Sequence, residues 1–307
     1  MSGAPLIRLY DAAALTAALP FDRLVPALRE AFRHPAAAPP RHRHALDPAA
    51  ALLLMPAWSA DWLGVKIVTV HPGNGALGLD SVHSTYLLSR AATGQPVALM
   101  DGDTLTARRT AAASALAASY LARPEASRLL LVGAGRVAAM LPAAYRSVRP
   151  LHEVMVWNRG AERRDALVAA LRTEGFDARA VENLAEAAGQ ADIVSCATLA
   201  TTPLIEGRFL RPGTHLDLVG AFNPAMREAD DAALAGPVWA DTEVALTECG
   251  EFVGWEASRL RGTLQTLCRG GPARPDPAAV TVFKSVGTAL EDLAAAALVA
   301  GDAGREG

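Results

Sequence analysis

Positive charge appears at three places in the first third of this chain where an apolar or neutral residue would fold as well. "LTARRTAAASALAA" puts Arg108 and Arg109 at the mouth of an alanine-rich helix, where the helix dipole mildly disfavours cations. Neighbouring helical residues point about a hundred degrees apart, so one arginine faces a pocket and the other lies outside. Lys66 interrupts the apolar run "LGVKIVTV", and a lysine in such a run is rarely buried without a partner. Arg41, His42, Arg43 and His44 form a basic loop just before "ALLLMP". Such cations suit a carboxylate, which arginine holds through two parallel charge-assisted hydrogen bonds. His71 in "HPGN" and His83 in "VHSTY" are of a type that can relay a proton, but read as imidazoles packed at strand ends.

A second chemistry is written in "LLLVGAGRVAAM", where Gly133, Gly135 and Ala138 follow the GxGxxA pattern. The pattern closes an apolar strand and opens a helix, the context of a dinucleotide-binding fingerprint. Gly133 permits the tight turn, Gly135 lets the backbone approach a pyrophosphate, and Ala138 allows close helix–strand packing. The next strand ends "VWNR", with Asn158 and Arg159 in place of the carboxylate that binds a ribose 2′-hydroxyl in NAD sites. Asn and Arg instead suit a 2′-phosphate, with Arg163 and Arg164 one turn further on, so NADPH is the expected coenzyme and NADH the second choice. Arg136 and Val137 in the loop, Thr198 in "ADIVSCAT" and Val219 in "THLDLVGA" complete the expected coenzyme contacts.

The elements that must position these residues divide by pattern. The first third reads as a helix over 22–32, strands at "ALLLMPAW" and "LGVKIVTV", and a hairpin around "ATGQP". From Arg128 the pattern alternates short, wholly apolar runs with amphipathic helices, which predicts a doubly wound parallel α/β domain. The helix "TALEDLAAAALVA" crosses back to the first domain. The expected organisation is therefore α/β: a Rossmann-type dinucleotide-binding domain over 124–283, and a discontinuous α+β domain made of 1–123 and 284–307.

Composition narrows the field. The chain has 307 residues, 51% hydrophobic and 20% charged, with net charge −3. That supports a sizeable core and gives no reason to expect nucleic acid or an anionic membrane as partner. No apolar run reaches the length of a membrane span. Cys196, Cys249 and Cys268 are far apart, without metal-ligand or disulfide spacing; no metal is expected, and a reduced, cytoplasmic setting fits.

Together these segments resemble the ornithine cyclodeaminase/mu-crystallin family, over nearly the whole chain. The resemblance rests on "LLLMPAW", "GVKIVTVHPGN", "ATGQPVALMDGDTLTARRTAAASALAA", "VGAG", "VWNR", "LVGAFNPAMRE", "VWADT" and "VTVFKSVGTALEDLAAA". It implies a Rossmann domain beside a substrate-binding and dimerisation domain, and a homodimer. It also implies that Lys66 and Arg109 bind the substrate carboxylate, aided by Arg41 or Arg43, with Arg108 the outer arginine. Thr110 matches the family's coenzyme-contacting threonine, and Asp292 a recurrent aspartate that would handle protons.

Two departures sharpen the expectation. Ornithine cyclodeaminases carry an acidic residue before the "MP" and an aspartate after "VG"; here those positions are Leu53 and Phe222, and neither can bind an ammonium or act as a base. The resemblance is instead to members that reduce ketimines. The expected reaction is NAD(P)H-dependent reduction of a cyclic ketimine carboxylate, Δ1-pyrroline-2-carboxylate to L-proline or the six-membered homologue to L-pipecolate. Phe222 would wall the ring. The alternatives are ornithine cyclodeamination, amino-acid dehydrogenation, and coenzyme-dependent ligand binding without turnover.

Overall fold

The computed structural model describes residues 7–34, 36–47 and 49–303. The chain divides into two compact units, one ending at Arg109 and resuming at Thr288, the other Thr110–Gly287. The sequence expectation places these boundaries at 123/124 and 283/284.

Among the described residues, the first unit is built on a six-stranded sheet in the order β1-β6-β5-β4-β3-β2. Its strands are β1 (Arg8–Tyr10), β2 (His42–Ala45), β3 (Ala51–Trp58), β4 (Trp62–Val70), β5 (Val82–Arg90) and β6 (Pro96–Asp101). All neighbours run antiparallel except β1 and β6. Directly paired residues share a face. Met55, Lys66, Tyr86 and Met100 therefore form one row across β3, β4, β5 and β6. Helices α1 (Ala12–Ala18) and α2 (Phe21–Arg33) precede β2. The "RHRH" segment, read from sequence as a loop, enters the edge strand β2 at His42, with Arg41 just before it. Its exposed residues carry no apolar alternation, so it is recruited through backbone pairing with β3.

Helix α3 (Gly102–Leu121) starts directly after β6. Asp101 caps it, its Oδ1 accepting from the Thr104 amide at 2.7 Å. The two arginines thus sit well inside α3 rather than at its mouth, and the dipole penalty expected from sequence is small, since that effect fades within the first turn.

The second unit carries an eight-stranded, all-parallel sheet ordered β13-β12-β14-β11-β10-β7-β8-β9. These strands are β7 (Arg128–Val132), β8 (Glu153–Trp157), β9 (Asp177–Ala180), β10 (Ile193–Cys196), β11 (His215–Leu218), β12 (Val238–Ala240), β13 (Leu260–Thr263) and β14 (Thr281–Lys284). Its helices are α4 (Arg136–Arg146), α5 (Ala161–Thr173), α6 (Leu184–Gln190) and the short α7 (Ala245–Glu248) and α8 (Leu264–Cys268). Leu130, Val132, Val194, Leu216 and Val282 are wholly buried in its core, as expected of a parallel sheet covered on both faces. The last helix, α9 (Ala289–Ala303), packs on α2, β4 and β3 of the first unit.

The start of α3 is held by close approach of Gly102 to β5, where an added Cβ would fall 2.6 Å from the Ser84 carbonyl carbon and 2.7 Å from the Thr85 amide. Gly102→Ala is expected to destabilise the protein by about 1–3 kcal/mol through this overpacking, read as a lowered thermal midpoint.

Candidate active site

In the first unit the anion-site residues converge on α9. Lys66, from the middle of β4, is 3% exposed, and its Nζ lies 2.9 and 3.1 Å from the two carboxylate oxygens of Asp292. Arg109, 4% exposed on α3, donates from Nε to Asp292 at 2.8 Å and from Nη1 to Glu291 at 2.5 Å. Glu291 and Asp292 are fully buried in the first turn of α9, where the helix dipole favours anions. Four ionised groups can share this interior because each meets an opposite charge.

Burial pushes the Lys66 ammonium down to about 8 despite Asp292, with Arg109 and Arg41 adding to the depression. Burial would also depress Arg109, but Asp292 and Glu291 outweigh it and hold the guanidinium above its usual range. Burial alone would raise Asp292; Arg109 and Lys66 outweigh it and hold the carboxyl below its usual range. Of the two loop arginines, Arg41 is the one whose charge reaches Lys66, while Arg43 is exposed on β2. Tyr86 stands beside Lys66 in the sheet row, its hydroxyl buried against Gly64 without a hydrogen-bond partner among the described residues.

The structure departs from the sequence reading at Arg108. It is not an outer, solvated arginine. It is 6% exposed, donates from Nε and Nη2 to the Leu19 carbonyl at 2.9 and 2.6 Å, and stacks over Phe21. A free carbonyl at the end of α1 and an aromatic face draw it inward. His83 lies three residues along the pairing from Lys66, on the opposite face of the sheet. Glu291 was missed in the sequence; its only signal was its place beside Asp292 in "LEDL".

In the second unit the GxGxxA loop joins β7 to α4. Gly133 has φ +115°, and a Cβ there would fall 2.6 Å from the Ala197 carbonyl oxygen. At Gly135 a Cβ would meet nothing within 4 Å, so the glycine leaves open space beside the N-terminus of α4. Among the described residues no side chain caps that terminus, and its amides and dipole suit a pyrophosphate. Ala138 is buried against the sheet, Arg136 is exposed and Val137 half-buried. These residues fit a dinucleotide. At the end of β8, Asn158 donates to the Gly160 carbonyl at 2.9 Å, and Arg159 and Arg163 are exposed. Arg164 is drawn instead to Asp165 at 2.8 Å. Thr198 and Val219 are half-buried beyond β10 and β11, Thr110 is buried on α3, and Phe222 is 45% exposed.

The chain belongs to the ornithine cyclodeaminase/mu-crystallin family, which it matches over residues 9–306. It is 42% identical to the Δ1-pyrroline-2-carboxylate reductase of Paracoccus denitrificans, across 77% of this chain and 78% of that one. It is 35% identical to the ketimine reductase mu-crystallin of Mus musculus, across 80% and 78%. Thermococcus litoralis Δ1-pyrroline-2-carboxylate reductase, solved with NADH and L-proline, superposes with a TM-score of 0.92 at 28% identity, covering 98% of each chain.

Removing the shared carboxylate tests the buried array. Asp292→Ala strands Lys66 in the interior and leaves Arg109 with Glu291 alone, and is expected to cost about 3–5 kcal/mol of stability, measured by chemical denaturation.

Proposed function

We propose that this protein is an NAD(P)H-dependent reductase of cyclic ketimine carboxylates, converting Δ1-pyrroline-2-carboxylate to L-proline and accepting its six-membered homologue. The observation that carries the reading is the Lys66–Arg109–Asp292 array on one face of the sheet, with Leu53 where a cyclodeaminase would hold an ammonium. Its named relatives and the NADH- and proline-bound neighbour support it.

Lys66 and Arg109 hold the substrate carboxylate, with Arg41 beside them, and thereby fix which face of the ring is presented. Catalysis is then chiefly positioning. NAD(P)H, when bound, supplies the hydride that reduces C2 of the protonated imine. The iminium arrives with its proton, so hydride addition gives the neutral secondary amine, and no acid on the protein is needed at C2. Asp292 keeps Lys66 and Arg109 charged and is the residue placed to exchange a proton with Lys66. Phe222 offers an apolar wall to the ring.

NADPH is the preferred coenzyme in this proposal, because Asn158 and the exposed Arg159 stand where a carboxylate would repel a 2′-phosphate. A homodimer is proposed on the other face of the first sheet. There Leu9, Leu99, Leu87, Val65 and Pro56 form a continuous apolar row, with Leu9 75% exposed. Such a face marks an interaction surface.

Purified protein mixed with Δ1-pyrroline-2-carboxylate is expected to oxidise NADPH faster than NADH, and Arg109→Ala to lose this turnover while still binding coenzyme. Tight coenzyme binding with no oxidation in the unaltered protein would instead favour ligand binding without chemistry. The Lys66 value sets a pH limit. The ammonium is charged below pH about 8 and neutral above it, so inhibition by pyrrole-2-carboxylate, whose ring nitrogen does not titrate there, is expected to weaken as pH rises through 8. Lys66→Arg should remove that step.

A further inference from the structure

Glu228 lies in "NPAMRE", beyond β11, and its side chain is fully buried. Its Oε1 accepts from the amide and the hydroxyl of Thr198, both at 2.8 Å, and its Oε2 from the Gly220 amide at 2.7 Å. Thr198 follows the carboxyl end of β10, and Gly220 that of β11. The two loops are in backbone contact: a Cβ on Gly220 would sit 1.9 Å from the Thr198 carbonyl oxygen. Glu228 is itself fixed, its amide donating to Glu251 Oε1 at 2.7 Å and its carbonyl accepting from Leu204 and Ile205 at 2.8 and 3.0 Å. One carboxylate thus sets the spacing of two adjacent loops.

Those loops border the coenzyme edge of the sheet. Strand order reverses at β7, with β8 and β9 on one side and β10 and β11 on the other. In such sheets the ligand lies at the carboxyl ends across this reversal, the adenosine half toward β8 and the second nucleotide toward β10 and β11. A buried carboxylate is costly unless each oxygen is satisfied, and here both oxygens are spent on these loops.

We infer that Glu228 is a positioning residue for the coenzyme: its carboxylate ties the Thr198 and Gly220 loops into the surface that receives the nicotinamide half. It acts through the loops and does not touch the ligand. The inference rests on the coenzyme reading of the proposed function.

The geometry also makes the surface sensitive to pH. A proton on Oε2 would remove the acceptor for the Gly220 amide. The titratable and charged groups facing Glu228 are Lys284 on β14, Glu251, whose Oε1 accepts from the Glu228 amide, and the Cys196 thiol. Burial pushes the Glu228 carboxyl up to about 7, against Lys284 and the loop hydrogen bonds. The loops are therefore tied above neutral pH and released below it.

The test is NADH affinity of the full chain, by fluorescence titration from pH 6 to pH 8, for the unaltered protein and Glu228→Gln, with a thermal melt of each. NADH avoids the 2′-phosphate, which titrates near 6. The unaltered protein is expected to bind NADH more weakly as pH falls through about 7. Glu228→Gln, whose amide opposes the Gly220 N–H, should bind about tenfold more weakly at pH 8 and show no pH step. A variant that melts lower but binds NADH like the unaltered protein, or an unaltered protein whose affinity has no step between pH 6 and 8, would overturn the inference. That second criterion does not depend on the variant folding. If the unaltered protein binds neither NADH nor NADPH at any pH, the coenzyme reading falls, and this inference with it.

Discussion

Two cations and two carboxylates share the interior of the first unit, and much of that unit is arranged to make this tolerable. Lys66 and Arg109 are each almost completely removed from water, as are Glu291 and Asp292. Any one of them alone would be strongly unfavourable in that interior; as a set, each finds an opposite charge within 2.5–3.1 Å. The condition fixes several elements at once. β4 must place Lys66 on the inner face, α3 must begin early enough to carry Arg109 two turns in, and α9 must bring its first turn back from the far end of the chain. The order of the array is therefore a consequence of desolvation as much as of ligand binding.

The same logic recurs in the second unit with different purpose. Glu228 is buried with its oxygens committed to main-chain amides and a hydroxyl, and Gly133 and Gly220 are glycines because neighbouring backbone occupies the space a Cβ would need. Gly135 differs: the space beside it is open. Close packing specifies the first two positions, and room for a ligand the third. A glycine-rich turn that served packing alone would have no need of that opening above an uncapped helix.

Most of the architecture was legible in the sequence. The apolar runs from "RLLLVGAG" onward marked the parallel sheet, because strands covered on both faces must be apolar throughout. The "ALLLMPAW" and "LGVKIVTV" strands and the hairpin around "ATGQP" were equally plain. What was not legible depended on partners distant in sequence. β2 carries no apolar pattern because backbone pairing alone recruits it. Arg108 looked solvated because the Leu19 carbonyl and the Phe21 ring that draw it inward lie some ninety residues earlier.

Residue types by themselves determined that the chain would hold a dinucleotide-type loop and a set of cations suited to a carboxylate, since glycines before a helix and a lysine inside an apolar strand have few other uses. Only the tertiary structure decided which cations are paired, with what, and how deeply. Glu291 and Asp292 stand 182 and 183 residues from Arg109, and nothing local in "LEDL" distinguishes a buried counter-ion from a helix-surface charge. Burial depends on what the rest of the fold packs against a residue. The charge state and reach of these side chains could therefore be settled only where β4, α3 and α9 meet.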